Sequence, residues 1–258
     1  YPLSPEAWGW KPALHAAWQA AAEGASSQLA EGPVIPARVI GREHHQYRLI
    51  LPDVRDRAAV GVYEPRVEES ALVSGRFKFQ IQAARDFPAV GDWVLVKPTL
   101  PKPRIEAILE RQSSLVRGSA GLKTEAQLLA ANIDTLFIVT ALDGARGFLL
   151  RFLERALLVA RQAEGRGGGI APLIVLNKAD LATEEEREMA LEQAARAAPA
   201  VPLFVVSAHS GEGIDTLAAA LCPGETVGML GKSGMGKSAL VNALCGSREK
   251  VWAREGQV

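Results

Sequence analysis

The octapeptide Gly231-Lys232-Ser233-Gly234-Met235-Gly236-Lys237-Ser238 follows directly on the apolar run Thr226 to Leu230 and leads into the helical Ala239 to Leu244. No other feature narrows the fold as far. The octapeptide satisfies G-x-x-x-x-G-K-S at every fixed position, and a strand before it and a helix after it are the setting in which that pattern has a physical meaning. Its glycines let the backbone curl around phosphates, so that successive N–H groups and the positive end of the next helix point at them. Lys237 is expected to reach the β- and γ-phosphates as the catalytic cation, and the Ser238 hydroxyl to ligate Mg²⁺. Lys232, Ser233, Gly234, Met235, Gly236 and Ala239 complete the expected phosphate cradle.

Upstream, apolar runs alternate with helical stretches, which is the pattern of a parallel sheet covered by helices on both faces. The expected strands are Thr135–Ala141, Pro172–Leu176, Pro202–Val206 and Thr226–Leu230. A helix is expected over 148–163, ending at the glycine run 165–169, and another beyond Leu181, opened by a capping box of Thr183 with Glu186. The second strand ends in Asn177-Lys178-Ala179-Asp180. A carboxylate at Asp180 can accept from N1–H and the exocyclic amine of guanine, whereas adenine leaves it unpaired, a discrimination on the order of 10⁴. The alkyl stem of Lys178 can lie over the base, and Asn177 can tie its loop to the phosphate loop. The third strand ends in Ser207-Ala208-His209, where the Ala208 N–H is the expected donor to guanine O6. His209 reads as a loop residue beside the base and not as a catalytic group. All these loops fall at the carboxyl edge of one sheet, where such folds bind ligands. The guanine motifs precede the phosphate loop, the reverse of the usual order, so the sheet is circularly permuted.

The first half of the chain has a different grammar. Residues 1–34 read as an alanine-rich helical extension with Trp8, Trp10, Leu14 and Trp18 on one stripe. Over 35–115, short alternating runs (Tyr47–Leu51, Phe77–Ile81, Trp93–Val96, Ile105–Leu109) are separated by turn residues at Val73-Ser74-Gly75, Pro88–Asp92 and Lys102-Pro103. They predict a small antiparallel barrel of about five strands, an OB-fold in preference to an SH3-like barrel. Residues 116–130 are a linker, and 131–258 the permuted GTPase domain. Lys+Arg and Asp+Glu balance at 29 each, but between Arg76 and Lys123 nine basic residues face four acidic ones. That local excess is either a solvated sheet surface or a face for RNA phosphates. Cys222 and Cys245 lack C-x-x-C spacing and read as small buried apolar residues. No apolar run is long enough to span a membrane, and a cytoplasmic location is expected.

With these residues in this order, the chain resembles the circularly permuted ribosome small-subunit GTPases of the RsgA/YjeQ family. The resemblance extends over the barrel segment Ala89-Val90-Gly91-Asp92, the stretch Gln127–Asp134, the Asn-Lys-Ala-Asp and Ser-Ala motifs, and Gly231–Ser238. It implies an OB barrel that docks on 16S rRNA of the small subunit, among other assembly factors. It further implies GTP/GDP and Mg²⁺ as ligands and hydrolysis stimulated by the subunit during late maturation; a monomeric protein is expected. It also implies a Zn²⁺ domain of cysteines and histidine, of which these 258 residues contain no ligand cluster. A switch threonine and an Asp-x-x-Gly segment must follow the phosphate loop in this order. We therefore expect the native protein to continue past Val258 with these elements and the zinc domain. Two other readings stand beside hydrolysis: a GTP-gated RNA-binding module, and an ATP-using P-loop enzyme in which Asn177–Asp180 is only a turn.

Overall fold

The computed structural model describes residues 8–28, 34–44, 46–51, 68–117, 127–143, 150–163 and 169–246. Several expectations fall outside these residues: the ends of the 1–34 extension, the start of the 148–163 helix, the glycines 165–168 and Lys123. The chain divides into two compact units, the first running to Ile133 and taking in Ala163–Gly168, the second made of Asp134–Gln162 and the chain from Gly169 on.

In the first unit, β1 (Ile35–Glu43), β2 (Gln46–Ile50), β3 (Glu68–Val73), β4 (Trp93–Lys97) and β5 (Arg104–Ile108) close into a barrel in the order β1-β2-β3-β5-β4. β3 and β5 pair in parallel and the other neighbours are antiparallel, a Greek-key closure of OB type. Alternate residues point inward, so Ala37, Val39, Tyr47, Leu49, Ala71, Val94, Val96 and Ile105 form one core. The opposite face of β4 is covered as well. Trp93 and Leu95 pack with Leu109 and with Leu14 of α1 (Pro12–Gln28), and Trp8, Trp10 and Trp18 close over them. Trp10 meets Trp93 edge-on at 4.7 Å between ring centroids. Trp93–Val96, read with the alternating runs, is in fact continuously apolar, and burial on both faces is the reason.

One expected strand is a helix. Of Phe77–Ile81, all but the C-cap Ile81 falls in α2 (Gly75–Gln80), and Val73-Ser74-Gly75, read as a turn, leads into it: the Ser74 hydroxyl accepts from the Phe77 N–H at 3.1 Å. Phe77 packs on the barrel core while Phe79 is 92% exposed, so the two phenylalanines that imitated strand alternation lie on opposite sides of one helical turn. The strand that fills the place is β3, whose polar Glu68-Glu69-Ser70 masks its pattern.

Residues 114–117 and 127–131 form a two-stranded antiparallel ribbon, β6 and β7. It locks onto the Val90-Gly91-Asp92 turn. The Ala131 N–H donates to the Val90 carbonyl at 2.9 Å, and Asn132, 8% exposed, donates to the Gly91 carbonyl at 2.9 Å. Gly91 has φ +93°, and a Cβ there would run into the Ala131 carbonyl. The buried Asp92 is gripped by two nitrogens of Arg111, each at 2.8 Å, and accepts from the Ala89 N–H at 2.8 Å.

The second unit holds a parallel sheet in the order β10-β9-β8-β11, from β8 (Thr135–Ala141), β9 (Ala171–Asn177), β10 (Leu203–Val205) and β11 (Val227–Leu230). All seven residues of β8 are buried, because both faces of the sheet are covered. On one side Phe137, Val139 and Val175 pack with Leu217 of α5 (Ile214–Ala219) and Leu240 of α6 (Lys237–Cys245). On the other, Ile138, Ile174 and Leu176 meet Leu153 and Leu157 of α3 (Leu150–Arg161) and Ala194 of α4 (Glu184–Ala197). The Thr183/Glu186 capping box is present at the start of α4. The cysteines depart from expectation: both are exposed free thiols, Cys222 in the Pro223-containing turn after α5 and Cys245 at the solvent-facing end of α6. Among the described residues no helix is long and apolar enough to cross a membrane.

Candidate nucleotide site

Four parallel strands of the second unit end at one edge of the sheet, and each end carries a loop of distinct chemistry. β11 opens into Gly231–Gly236, β9 into Asn177–Asp180, β10 into Val206–Ala208, and β8 into Leu142–Asp143. Chain order is irrelevant to this arrangement: β11, last in sequence, lies beside β8, the first, in register from Val227 opposite Thr135.

The phosphate loop has the curled backbone that its glycines predict. Gly234 and Gly236 both have φ +84°, and Gly236 caps α6. A Cβ on Gly231 would lie 2.7 Å from the Val139 carbonyl, and one on Gly236 would overlap the Asn177 amide. Lys237 arches back over the loop, its Nζ donating to the carbonyls of Gly231 at 2.9 Å and Lys232 at 3.1 Å. That places a cation inside the curl, where phosphate charge would sit. Ser238 and Ala239 are exposed on the first turn of α6, as are Lys232, Ser233 and Gly234 in the loop. Met235 keeps its backbone in the loop while its side chain, 1% exposed, turns into the core under the sheet and anchors the loop there.

Asn177 joins three of the loops. Its side chain, 1% exposed, donates to the Met235 carbonyl at 2.9 Å and accepts from the Ala208 N–H at 3.2 Å. The expected tie to the phosphate loop is therefore formed. The Ala208 N–H, expected to face guanine O6, is engaged by Asn177 in this structure and must share itself or swing to meet a base. Asp180 is exposed, and the hydroxyl of buried Ser207 donates to one of its oxygens at 2.5 Å. Ser207 in turn accepts from the N–H groups of His209 at 3.2 Å and Ser210 at 3.0 Å, which rounds off its loop. His209 is an exposed loop residue. Ala179 is fully buried, and its N–H donates to the Val206 carbonyl at 3.1 Å.

Three contributors escaped sequence reasoning. Asp143, just past β8, forms an ion pair with Lys178 at 2.8 Å, orienting the lysine expected to flank the base; Lys178 itself has a left-handed backbone, φ +63°. The signal was available, because Asp143 follows an apolar strand just as Asn177 does. Arg187 of α4 and Glu212, between the Ser207 loop and α5, pair at 2.9 Å against the same motifs. Neither carries any sequence signal, since a charged residue within Glu184-Glu185-Glu186-Arg187 reads as a solvated helix face.

The geometry suits a guanine nucleotide: a phosphate cradle at a helix N-terminus, a lysine within it, and a carboxylate beyond the end of β9, two strands away at the same edge of the sheet. Ser238 and phosphate oxygens would together hold Mg²⁺, whose charge offsets that of the phosphates. Among the described residues no group of three His, Cys, Asp or Glu is placed to hold a metal, so nothing described here corresponds to a zinc site.

Comparison with known proteins agrees with this arrangement. Among curated proteins, the chain is 36% identical over 217 residues to the small ribosomal subunit biogenesis GTPase RsgA 2 of Lactiplantibacillus plantarum, covering 84% of this chain and 55% of that protein. It is also 36% identical over 244 residues to the small ribosomal subunit biogenesis GTPase RsgA of Opitutus terrae, covering 90% of this chain and 60% of the relative. The chain thus spans somewhat over half the length of these relatives. Among solved structures, YjeQ from Thermotoga maritima superposes with a TM-score of 0.56 at 22% identity, over 82% of this chain and 65% of that one. YloQ, described as a circularly permuted GTPase, gives 0.55 at 16% identity, over 81% and 63%. These two bear on the fold alone. The family model of the RsgA GTPase matches residues 108–255, more than half of the sequence and the whole sheet with its four loops, and the chain belongs to the RsgA GTPase family.

Proposed function

We propose that this chain binds GTP and GDP at the carboxyl edge of the second unit's sheet, and that the protein hydrolyses GTP while engaged with the small ribosomal subunit during its late maturation. The observation that carries the reading is the Asn177 amide, which couples the phosphate loop at Met235 to the Ala208 loop. A turn that resembled a guanine motif by accident would have no reason to bury an asparagine between those two loops. In this reading Gly231–Ala239 surround the phosphates, Asp180 reads the guanine edge, Lys178 flanks the base, and Ala208 meets O6. Hydrolysis adds a water oxygen to the γ-phosphorus and breaks its bond to the β–γ bridging oxygen, leaving GDP and phosphate. Lys237 neutralises charge that accumulates on those oxygens. The barrel is proposed to face 16S rRNA, in keeping with what the RsgA relatives are named for.

The test is turnover of GTP and ATP by the protein with and without purified small subunits. GTP-specific turnover that rises with subunits is expected. Turnover indifferent to subunits sinks the ribosomal part, and equal use of ATP sinks the guanine part. Asp180→Asn should exchange guanine preference for xanthine, whose 2-oxo group needs a donor where guanine needs an acceptor. A hydrolysis-dead variant that still leaves the subunit normally would favour the GTP-gated RNA-binding reading.

A further inference from the structure

We propose that Arg187 is a positioning residue for guanine specificity, holding the Asp180 loop and the Ser207–Ala208 loop in one geometry through a single guanidinium. The inference rests on the guanine-site reading above and goes beyond it, because Arg187 lies outside every motif.

Arg187 sits one turn into α4, whose first turn carries Glu184, Glu185 and Glu186. A cation there opposes the helix dipole, so its position is not explained by the helix to which it belongs. Its guanidinium leaves the helix for the loops. Nη2 donates to the Ala179 carbonyl at 2.7 Å and Nε to the same oxygen at 3.2 Å. Nη1 donates to Glu212 Oε1 at 2.9 Å. The Glu212 main-chain carbonyl accepts from the Ser207 N–H at 2.9 Å. One planar fork thus pins the residue just before Asp180 and, through Glu212, the residue just before Ala208.

This differs from an ordinary surface ion pair, which contributes about 0–1 kcal/mol. The Arg187 side chain is 23% exposed and the Glu212 carboxylate 44%, but the other acceptor of the same guanidinium, the Ala179 carbonyl, belongs to a fully buried residue. Ser207 also donates to Asp180 at 2.5 Å, so the two loops already share a hydrogen bond. Arg187 of α4 and Glu212, just before α5, brace that bond through the residues next to its two partners. A planar fork suits this task, because two donors converging on one carbonyl fix its direction as well as its distance.

The experiment measures GDP and IDP affinities of the full chain by calorimetry, with ADP as control. Hypoxanthine lacks the exocyclic amine that Asp180 is expected to read, so the GDP/IDP ratio reports carboxylate placement and is blind to the fraction of folded protein. Arg187→Ala is expected to lower that ratio by about tenfold or more, the equivalent of one charge-assisted hydrogen bond, while IDP affinity falls less. Arg187→Lys keeps a charge near Glu212 without the fork, and the ratio is expected to stay low. If Arg187→Ala does not fold, Glu212→Ala leaves the Ala179 contact and releases the second loop, and about a threefold drop is expected. A wild-type ratio in each variant that folds overturns the inference, as does restoration of the ratio by lysine. Failure of the wild type to prefer GDP over ADP instead overturns the guanine reading itself, and this inference with it.

Discussion

Gly236 shows how much of the site depends on a single missing atom. Its φ of +84° is one that residues with a Cβ avoid, and a Cβ would overlap the Asn177 amide that joins the loops. Gly236→Ala therefore loses twice: about 1–2 kcal/mol of backbone strain, and displacement of the asparagine. We expect the chain to remain folded while GDP affinity falls more than about tenfold, checked by titration calorimetry alongside circular dichroism. The fixed glycines were legible in the sequence because the phosphate-loop pattern sets their spacing, although the atoms that exclude a Cβ at Gly231 and Gly236 come from the distant Val139 and Asn177. The anchoring by Met235 was not, since nothing in G-x-x-x-x-G-K-S says that its fifth residue turns into the core. Nor was the engagement of the Ala208 N–H by Asn177, which depends on two strand ends meeting across the sheet.

Among the elements, β4 and its turn carry the barrel. Asp92 is fully buried, and Arg111 meets it with two nitrogens while also donating to the carbonyls of Arg85 and Phe87. Removing one partner of such a pair strands the other charge, so Arg111→Met is expected to destabilise the first unit by about 3–5 kcal/mol in urea unfolding, and Arg111→Met with Asp92→Asn by less. Arg111 is one of the nine basic residues that raised the expectation of a phosphate-binding face, and it is occupied within the fold. The elements themselves were read unevenly. Strands β8 to β11 were visible because they are continuous, mostly apolar runs, buried throughout β8 and most of β9 and partly buried in β10 and β11. β3 was not, because its first three residues are the polar Glu68-Glu69-Ser70, and α2 passed for a strand because two phenylalanines two apart satisfy either period locally.

For the molecule as a whole, nucleotide binding and folding are linked. A ligand that binds only the folded state at a hundred times its dissociation constant stabilises it by about 2.7 kcal/mol. Guanine nucleotide at that excess is therefore expected to raise the thermal midpoint of the site-bearing unit, and ADP at the same concentration to leave it unmoved, as scanning calorimetry would show. The sequence by itself determined the succession of a helical segment, a barrel and a parallel sheet, and it determined the permuted order of the nucleotide motifs. Each of those is written in short-range periodicity, in turn chemistry or in residue types needed at fixed spacing. Tertiary structure alone decided that Asn177, besides its expected tie to the phosphate loop, engages the Ala208 N–H, that Asp143 pairs with Lys178, that Arg187 links Ala179 to Glu212, and that Gly91 packs against Ala131. These partners are far apart in the chain, and side chains of no special type acquire a role only when the sheet brings its strand ends to a common edge.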